Sequence, residues 1–307
     1  MHQTIIKELS KLLKGKVLCQ VPLSRHTSLK VGGHADIMIY PASLEELLSI
    51  IHFSRRQAIP YFVMGAGTNL VVRDGGIRGM VIKLTRCFKK ITLIRSYGDE
   101  LKLQAEAGVS LRRLLACCLG KELAGLEFVS GIPGTLGGAW AMNAGAQGKE
   151  MGSITEALTL LTGEGAVEEK KSTEMYFTYR RLHLPPGSII VKGLMRVTRG
   201  TRSALMGAVE KINRWRWQAQ PLHLPSAGSV FKNPPGHSAG QLLERVGLKG
   251  RLSGGAQISE KHANFIVNAG GATAQDILTL MGIMQSRVYE ETGIELEPEV
   301  QVVGEDG

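Results

Sequence analysis

The stretch from 126 to 147 reads LEFVSGIPGTLGGAWAMNAGAQ and concentrates glycine in an otherwise ordinary globular sequence. Glycine lacks a Cβ atom, so such a stretch permits positive φ angles and lets main-chain N–H groups approach a bound group closely. Two interpretations stay open on spacing alone. The stretch is either an anion cradle of converging N–H groups or a tight loop that lets two elements pack closely. Its glycines are Gly131, Gly134, Gly137, Gly138 and Gly145, and Pro133 stiffens the first turn.

The composition is that of a globular protein with a sizeable core. A chain of 307 residues allows two or three domains, and its 43% apolar and 21% charged residues exclude a disordered or fibrous class. The four cysteines include no Cys-x-x-Cys pair, and the histidines do not cluster at metal-ligand spacing, so no metal site is expected. The N-terminus has no signal-peptide pattern, and apolar runs stay well short of a membrane span. We therefore expect a cytoplasmic protein without membrane insertion.

The formal net charge of +10 suggests an anionic partner. Between Arg180 and Arg216 there are nine Lys or Arg residues and one acid, Glu210, whereas the last eighteen residues carry seven acids and no base. Aromatic residues make up 5% of the chain and are not interleaved with the basic run, so a stacking platform for nucleic acid is not expected. A small substrate with several negative charges fits as well or better, and a solvated basic face without a partner is the alternative.

The pattern of apolar residues predicts an α+β chain. Helices are predicted at 5–13, after the Ser43 cap, at 111–119 after the Ser110 cap, and at 203–219, 238–246 and 275–291. Strands are predicted up to Tyr40, at 61–64, 71–72 and 80–84, in the β-rich region 91–109, in a hairpin over 157–167, and at 189–197, 264–268 and 300–303. A Gly/Ser/Pro loop is predicted at 225–236.

A second glycine loop, Gly65-Ala-Gly-Thr-Asn-Leu70, follows the predicted strand at 61–64. It superficially resembles the Gly-x-Gly-x-x-Gly dinucleotide fingerprint, but Leu70 replaces the third glycine. A β segment, not a helix, follows the loop, so a Rossmann site is excluded. Phosphate binding through a nest of N–H groups remains open.

Seven motifs, in order along the chain, resemble those of one family, the UDP-N-acetylenolpyruvoylglucosamine reductases (UDP-N-acetylmuramate dehydrogenases). The match runs from about residue 24 to the end. Its motifs are His26-Thr-Ser with Val31-Gly-Gly33, the 65–70 loop, Gly131-Ile-Pro-Gly-Thr-Leu-Gly-Gly-Ala139 with Asn143-Ala-Gly145, Tyr179-Arg180, Ser226-Ala-Gly-Ser-Val-Phe-Lys-Asn-Pro234, His262-Ala-Asn-Phe-Ile-Val-Asn268, and Leu296-Glu-Pro-Glu-Val300.

The resemblance implies a fold and a reaction. It implies a two-subdomain FAD-binding region of the vanillyl-alcohol-oxidase type at 1–85 and 86–202, and a C-terminal α/β substrate domain at 203–307. The cofactor would be non-covalent FAD, with NADPH as reductant and UDP-N-acetylglucosamine enolpyruvate as substrate. We expect a monomer of the shorter, type II branch, because no insertion supplies the substrate lid of the longer branch.

The resemblance also implies roles for individual residues. Arg180 would hold the substrate carboxylate while charge develops on it, with Glu299 assisting, and Ser229 would donate the proton to carbon. We hypothesise that Lys232 stabilises the resulting serine oxygen anion. The implied cofactor-binding residues are Gly65, Ala66, Gly67, Thr68, Asn69, Leu70, Gly131, Ile132, Pro133, Gly134, Gly137, Gly138, Ala139 and Asn143. The implied substrate-binding residues are Tyr179, Lys232, Asn233, Lys261, His262 and Asn268.

The sequence departs from the family pattern at two places and leaves two rival functions open. Arg181 and Leu182 follow Arg180 where a serine is common, and Trp140-Ala141 replaces a more usual aliphatic-aromatic pair. One rival is another FAD oxidase of the same cofactor fold, with a covalent link through His34. The other is a polyanion-binding module without flavin. Without the resemblance, Arg180 would be read as part of the basic face and Ser229 as a turn residue.

Overall fold

A computed structural model describes residues 2–95 and 101–307. The predicted β-rich region 91–109 includes residues 96–100, which lie outside the described residues. The α-helices are α1 (His2–Leu12), α2 (Leu44–Gln57), α3 (Leu111–Gly120), α4 (Leu136–Ala141), α5 (Met151–Ile154), α6 (Arg202–Ala219), α7 (Ala239–Arg245) and α8 (Ala274–Thr292).

The strands range from two to eleven residues in length. They are β1 (Lys16–Pro22), β2 (His34–Tyr40), β3 (Tyr61–Met64), β4 (Leu70–Val72), β5 (Ile77–Lys83), β6 (Ile91–Arg95), β7 (Leu101–Glu106), β8 (Leu123–Ala124), β9 (Gly145–Ala146), β10 (Lys149–Glu150), β11 (Thr155–Leu161), β12 (Val167–Lys171), β13 (Tyr176–Thr178), β14 (Arg181–His183), β15 (Ile189–Arg199), β16 (Ser226–Ser229), β17 (Leu252–Ser253), β18 (Ala256–Ile258), β19 (Phe265–Asn268) and β20 (Gln301–Val303).

The chain forms two compact units, each discontinuous in sequence. Unit 1 comprises 1–19, 37–66 and 80–214, and unit 2 comprises 20–36, 67–79 and 215–307. The three domains predicted from the sequence, with boundaries at 85 and 202, are continuous segments defined by their expected functions. They stay a prediction.

Unit 1 is built on an antiparallel sheet with the strand order β12-β11-β15-β7-β6, and β8 pairs with β15 off this path. Strands β3 and β5 pair in parallel within a second sheet, whose order is β1-β2-β5-β3. The core contains the fully buried Trp140, whose indole N–H donates to Thr155 Oγ1 at 2.9 Å. Helix α3 begins where Ser110 accepts the N–H of Arg113, as predicted from the sequence.

Unit 2 has an antiparallel sheet with the order β16-β19-β18-β17, against which α8 packs. Strand β20 pairs in parallel with β4, with Gln301 opposite Leu70 and Val303 opposite Val72. The strand near the C-terminus is thus the pairing partner of the β segment that was predicted after the second glycine loop. Leu29 and Val71 belong to the same apolar core as α8, although they come from early in the chain.

Most predicted elements are confirmed, but the loop predicted at 225–236 is wrong in its first part. Residues 226–229 form β16, which pairs with β19 through Ser226 and Val267 and through Ser229 and Phe265. The register shifts between Ser226 and Ser229, where Gly228 adopts a φ of 81°. Composition suggested a loop because serine and glycine have low strand propensity, and pairing with β19 overrides that preference. Within the described residues, no helix combines the length and apolarity needed to cross a bilayer.

Candidate active site

A cavity of about 200 Å³ lies within unit 1. It is smaller than the roughly 300–1,000 Å³ of a pocket that encloses a whole drug-sized ligand, so it can enclose only part of such a ligand. Most of its lining is apolar. The lining residues are Val63, Met64, Gly65, Leu84, Thr85, Ala107, Gly108, Thr135, Gly137, Gly138, Ala141, Leu184, Ser188, Ile189 and Ile190.

Glycines form the bare part of the cavity wall, and at Gly65 and Gly137 neighbouring groups leave no room for a side chain. A Cβ atom on Gly65 would lie 2.5 Å from Thr135 Oγ1, and one on Gly137 would lie 2.8 Å from the Cβ of Ala107. A Cβ atom on Gly138 would meet Thr135 Oγ1 at an ordinary 3.6 Å. Close packing of α4 against the loop after β7 therefore explains Gly137 in particular.

The first N–H groups of α4 are used by the protein itself. Leu136 donates to the carbonyl of Val109 at 2.8 Å, and Gly137 donates to the carbonyl of Ala107 at 2.9 Å. The N-cap residue Thr135 accepts the N–H of Gly138 at 3.5 Å. This part of the glycine stretch therefore shows the tight packing that was one of the two interpretations. An anion-binding role for the rest of the stretch stays a prediction.

Ser188 places an unsatisfied hydroxyl at the cavity. Its Oγ is buried and has no hydrogen-bond partner among the described residues, although the residue lines the cavity. The turn that carries it is fixed, since Ser188 N–H donates to Pro185 at 3.1 Å and the Tyr61 hydroxyl donates to the carbonyl of Gly187 at 2.6 Å. A buried polar atom without a partner is costly. A ligand with a polar edge would satisfy it, so the cavity fits part of a bound ligand.

Arg180 lies in the two-residue turn between β13 and β14, where Thr178 pairs with Arg181. Its φ of 61° is in the left-handed region, which is unusual for a residue other than glycine, and such strain is frequent at functional sites. The half-buried side chain lies 5.0 Å over the ring of Tyr179, and Nη1 donates to the carbonyl of Gly145 at 3.2 Å. The turn thus presents a guanidinium from a defined backbone position.

Asn143 supports this turn from the glycine stretch. Its Nδ2 donates to the carbonyl of Thr178 at 2.9 Å, and its Oδ1 accepts the N–H of Gly152 at 2.8 Å. The residue is fully buried, and the cofactor contact implied by the resemblance stays a prediction.

Other implied cofactor residues fall into three groups. Ala139 and Leu70 are buried in the cores of units 1 and 2. Gly131 and Gly134 have φ values of 69° and 130°, which glycine adopts readily, and Ile132 and Pro133 lie between them. In the second glycine loop, Gly65 and Ala66 belong to unit 1, whereas Gly67, Thr68, Asn69 and Leu70 belong to unit 2.

Unit 2 brings Ser229 and Glu299 onto neighbouring segments. Ser229 ends β16, and the next residue, Val230, accepts the N–H of Glu299 through its carbonyl at 2.7 Å. Lys232 donates its N–H to the carbonyl of Glu297 at 2.9 Å, and its ammonium group pairs with the Glu297 carboxylate. Because this ion pair orients the Lys232 ammonium group toward the exposed Glu297 carboxylate, Lys232 would have to leave Glu297 to stabilise the Ser229 oxygen as predicted.

Two asparagines implied in substrate binding use their amides to hold the backbone. Asn233 Oδ1 accepts the N–H of Ala239 at 3.0 Å at the start of α7. Asn268 donates to the carbonyl of Leu29 at 3.0 Å and accepts the N–H groups of Gly270 and Ala272.

Lys261 and His262 lie together before β19. The ammonium group of Lys261 donates to the carbonyl of Trp217 and lies 5.3 Å over its ring. His262 Nδ1 accepts the N–H of Asn264 at 3.2 Å. Burial lowers the pKa of His262, the nearby carboxylate of Glu244 partly opposes this, and Lys249 adds to it.

Residues 35–170 match an FAD-binding domain model, and residues 220–303 match the model of the UDP-N-acetylenolpyruvoylglucosamine reductase C-terminal domain. A UDP-N-acetylenolpyruvoylglucosamine reductase from Syntrophus aciditrophicus is 44% identical over 100% of this chain and 98% of its own length. The chain belongs to the UDP-N-acetylenolpyruvoylglucosamine reductase family. The family predicted from the sequence motifs is thereby confirmed.

Solved structures agree with this assignment. A reductase of this family from Thermus caldophilus superposes with a TM-score of 0.78 at 36% identity, over 94% of this chain and 99% of that chain. An alkyldihydroxyacetonephosphate synthase superposes with a TM-score of 0.50 at 17% identity, over 65% of this chain and 41% of that one, which is a likeness of fold alone. The predicted α+β class with an FAD-binding region is confirmed.

Several cavity residues were missed by sequence reasoning. Ser188, Thr85 and Ala107 line the cavity, yet none belongs to a quoted family motif. The Pro185-Pro186-Gly187 turn before a buried strand was the only local signal for Ser188. Its unsatisfied hydroxyl becomes visible only in three dimensions.

Proposed function

We propose that this chain reduces UDP-N-acetylglucosamine enolpyruvate to UDP-N-acetylmuramate with FAD as bound cofactor and NADPH as reductant. The observation that carries the cofactor assignment is the match of residues 35–170 to an FAD-binding domain, and the unit 1 cavity with its glycine wall and the unsatisfied hydroxyl of Ser188 agrees with it. The substrate assignment rests on the named relatives, which match over nearly the whole chain.

The cavity residues would hold and shield the cofactor. When bound, FAD supplies a two-electron carrier that takes hydride from NADPH and passes it on. Gly65, Gly137 and Gly138 would allow close approach to the ring system, and Ser188 would pair with a polar edge. The apolar lining, including Ile189 and Ile190, would keep water away from the part of the cofactor that it encloses.

Arg180 is proposed to bind the substrate carboxylate. Hydride addition at the terminal alkene carbon breaks the double bond and moves its electron pair through the adjacent carbon into the carboxylate. A guanidinium that donates two parallel hydrogen bonds stabilises this developing charge better than it stabilises the starting acid anion. Tyr179, whose ring contacts the guanidinium, is proposed to contact the substrate beside it.

Ser229 is proposed to complete the reaction by proton transfer. Its hydroxyl gives the proton to the adjacent carbon of the enolate, and the serine oxygen then regains a proton from solvent. Glu299 is proposed to assist because its main chain is tied to Val230, the residue after Ser229. Lys232 is proposed to stabilise the transient oxygen anion, and Lys261, His262, Asn233 and Asn268 to line the nucleotide part of the substrate site.

NADPH and UDP-sugars are cytoplasmic compounds, so the enzyme would act in the cytoplasm, and it would act as a monomer. The basic run from 180 to 216 would then favour anionic ligands in general, since UDP-sugar and NADPH both carry phosphate groups.

A spectrum and a turnover assay test the proposal. The purified protein should be yellow, acid precipitation should release all of the colour, and NADPH oxidation should match formation of UDP-N-acetylmuramate. Colour retained in the precipitate would favour an oxidase with flavin linked through His34. A colourless protein with salt-sensitive binding to nucleic acid would favour the polyanion-binding module.

A further inference from the structure

The turn that carries Arg180 is held by a segment that the family motif associates with the cofactor. Asn143 comes from the glycine stretch, 35 residues before Thr178, and its buried amide bonds to the Thr178 carbonyl at 2.9 Å. Thr178 is the last residue of β13, immediately before Tyr179-Arg180. A shift of that carbonyl would therefore move the turn itself.

The amide of Asn143 is fixed at its other end as well. Its Oδ1 accepts the N–H of Gly152 at 2.8 Å. Gly152 cannot carry a side chain, because a Cβ atom there would lie 2.8 Å from the Phe177 ring. Phe177 in turn precedes Thr178 in β13. Asn143 thus connects α5 and β13 where the two elements are in close contact.

The same segment also contacts the guanidinium. Arg180 Nη1 donates to the carbonyl of Gly145 at 3.2 Å, two residues after Asn143. Gly145 sits in the β9–β10 pair opposite Glu150, and a Cβ atom on it would lie 2.5 Å from the carbonyl of Lys149. The Gly145 carbonyl, which accepts the hydrogen bond from Arg180, is therefore held in a tight hairpin.

The backbone conformations of Asn143 and Arg180 indicate that their positions are fixed by the surrounding structure. Asn143 has a φ of 41° and Arg180 a φ of 61°, both in the left-handed region. Asparagine tolerates that region better than other residues with side chains, whereas arginine does so at a cost. A strained conformation persists only where the surroundings determine it, and the bonds from Asn143 and Gly145 supply such surroundings.

We infer that Asn143 is a positioning residue for Arg180, acting through the Thr178 carbonyl and not through the cofactor. This inference rests on the proposed role of Arg180 in binding the substrate carboxylate. A misplacement of about 1 Å in a catalytic group can cost roughly 100-fold in rate. Loss of the Asn143 amide should therefore slow the step that involves substrate and leave the step that involves NADPH largely unchanged.

The test uses the FAD-loaded enzyme and measures its two half-reactions separately by flavin absorbance. Asn143→Gly tolerates the positive φ and removes both amide bonds, and Asn143→Asp keeps the shape but cannot donate to Thr178 when ionised. For both variants we expect reoxidation by substrate to slow about 10- to 100-fold, with reduction by NADPH within about twofold of wild type. Thr155→Val is the matched control, since it removes two buried hydrogen bonds of unit 1 to Trp140 and Met151. It should lower the Tm without slowing reoxidation selectively.

A double-mutant cycle separates the inference from the proposed function. If Asn143 acts through Arg180, then Asn143→Gly should add little to the loss already caused by Arg180→Ala. Additive losses would overturn the inference, as would equal slowing of both half-reactions or failure of both Asn143 variants to retain FAD. Normal reoxidation in Arg180→Ala alone would instead contradict the proposed role of Arg180.

Discussion

The side-chain amide of Asn69 donates a hydrogen bond to the main-chain carbonyl of Glu299 at 3.0 Å. The carbonyl of Asn69 also accepts the N–H of Gln301 at 2.9 Å. A residue of the second glycine loop therefore holds a segment from the far end of the chain, in which Glu299 is a proposed catalytic residue. The loop has a structural task inside unit 2 in addition to any contact with the cofactor.

Asn69→Ala should loosen the Glu299 segment. We expect the free energy of unfolding to fall by about 1 kcal/mol for the lost hydrogen bond, and reoxidation by substrate to slow about tenfold. Gln285→Ala is the matched control, since it removes a similar bond to the carbonyl of Leu296 on the same segment. If both variants lose stability alike and neither slows reoxidation, the proposed role of Glu299 loses its support.

Ser188→Ala should weaken FAD binding without destabilising the apoprotein. Its hydroxyl has no partner among the described residues, so its removal costs the ligand-free protein little, while a bond to FAD would be worth about 1 kcal/mol, or roughly fivefold in Kd. Isothermal titration of apoprotein with FAD measures this change.

The control for Ser188 is Ser54→Ala, which removes a satisfied bond to the carbonyl of Ile59 at 2.6 Å. That variant should lower the Tm of the apoprotein and leave the Kd for FAD unchanged. An unaltered FAD affinity in Ser188→Ala would show that this hydroxyl does not contact the cofactor.

Neighbouring glycines of α4 should respond differently to alanine. In Gly137→Ala the new Cβ atom would overlap the Ala107 Cβ at 2.8 Å, so we expect destabilisation of about 1–3 kcal/mol and weaker FAD retention. In Gly138→Ala the closest contact is 3.6 Å, so stability should change by about 0.5 kcal/mol or less. Thermal unfolding with and without FAD compares the pair, and equal effects would contradict the packing described for the cavity wall.

His262 should make the protein sensitive to mild acid. Burial lowers its pKa in the folded state, so between that pKa and the ordinary value near 6.5 the unfolded chain binds more protons. Stability from this group is therefore complete above about pH 6.5 and falls as the pH drops toward the folded pKa. In His262→Gln, the slope of the free energy of unfolding against pH should be smaller in that window, and an unchanged slope would exclude His262 as its source.

Ser229→Ala should separate the two half-reactions more strongly than any other single change. Loss of a general acid typically costs roughly 100- to 10,000-fold, so reoxidation by substrate should nearly stop while reduction by NADPH stays close to wild type. Stopped-flow absorbance of the flavin records both steps. Equal losses in both would mean that Ser229 supports the fold or the cofactor and not proton transfer.

Local sequence signals predicted most of the fold and the order of its motifs. The Ser43 and Ser110 caps, the strand at Tyr61–Met64 and the β segment after Leu70 are all present, because cap residues and short apolar runs can be recognised from adjacent residues alone. Strand β16 was missed because its Ser-Ala-Gly-Ser sequence is stabilised by pairing with β19, which lies 36 or more residues away in the chain.

The sequence motifs named candidate site residues but not the contacts that hold them in place. The motif identified Asn143 and Arg180 but gave no reason to connect them, since their connection runs through the carbonyl of Thr178. The Ser188 hydroxyl likewise has no hydrogen-bond partner within the described part of the chain because of how the chain folds around it, and no sequence pattern predicts that arrangement. The discontinuous units arise for the same reason, because Leu29 and Val71 reach the core of α8 only through tertiary packing.

The most direct test of the proposed reaction is an anaerobic experiment in two steps. The FAD-loaded protein is first reduced with one equivalent of NADPH, and UDP-N-acetylglucosamine enolpyruvate is then added in the absence of oxygen. We expect the absorbance of oxidised flavin to return in full, with one UDP-N-acetylmuramate formed per flavin. Reduced flavin that stays colourless with this substrate and regains its colour only when oxygen is admitted would contradict the proposed function.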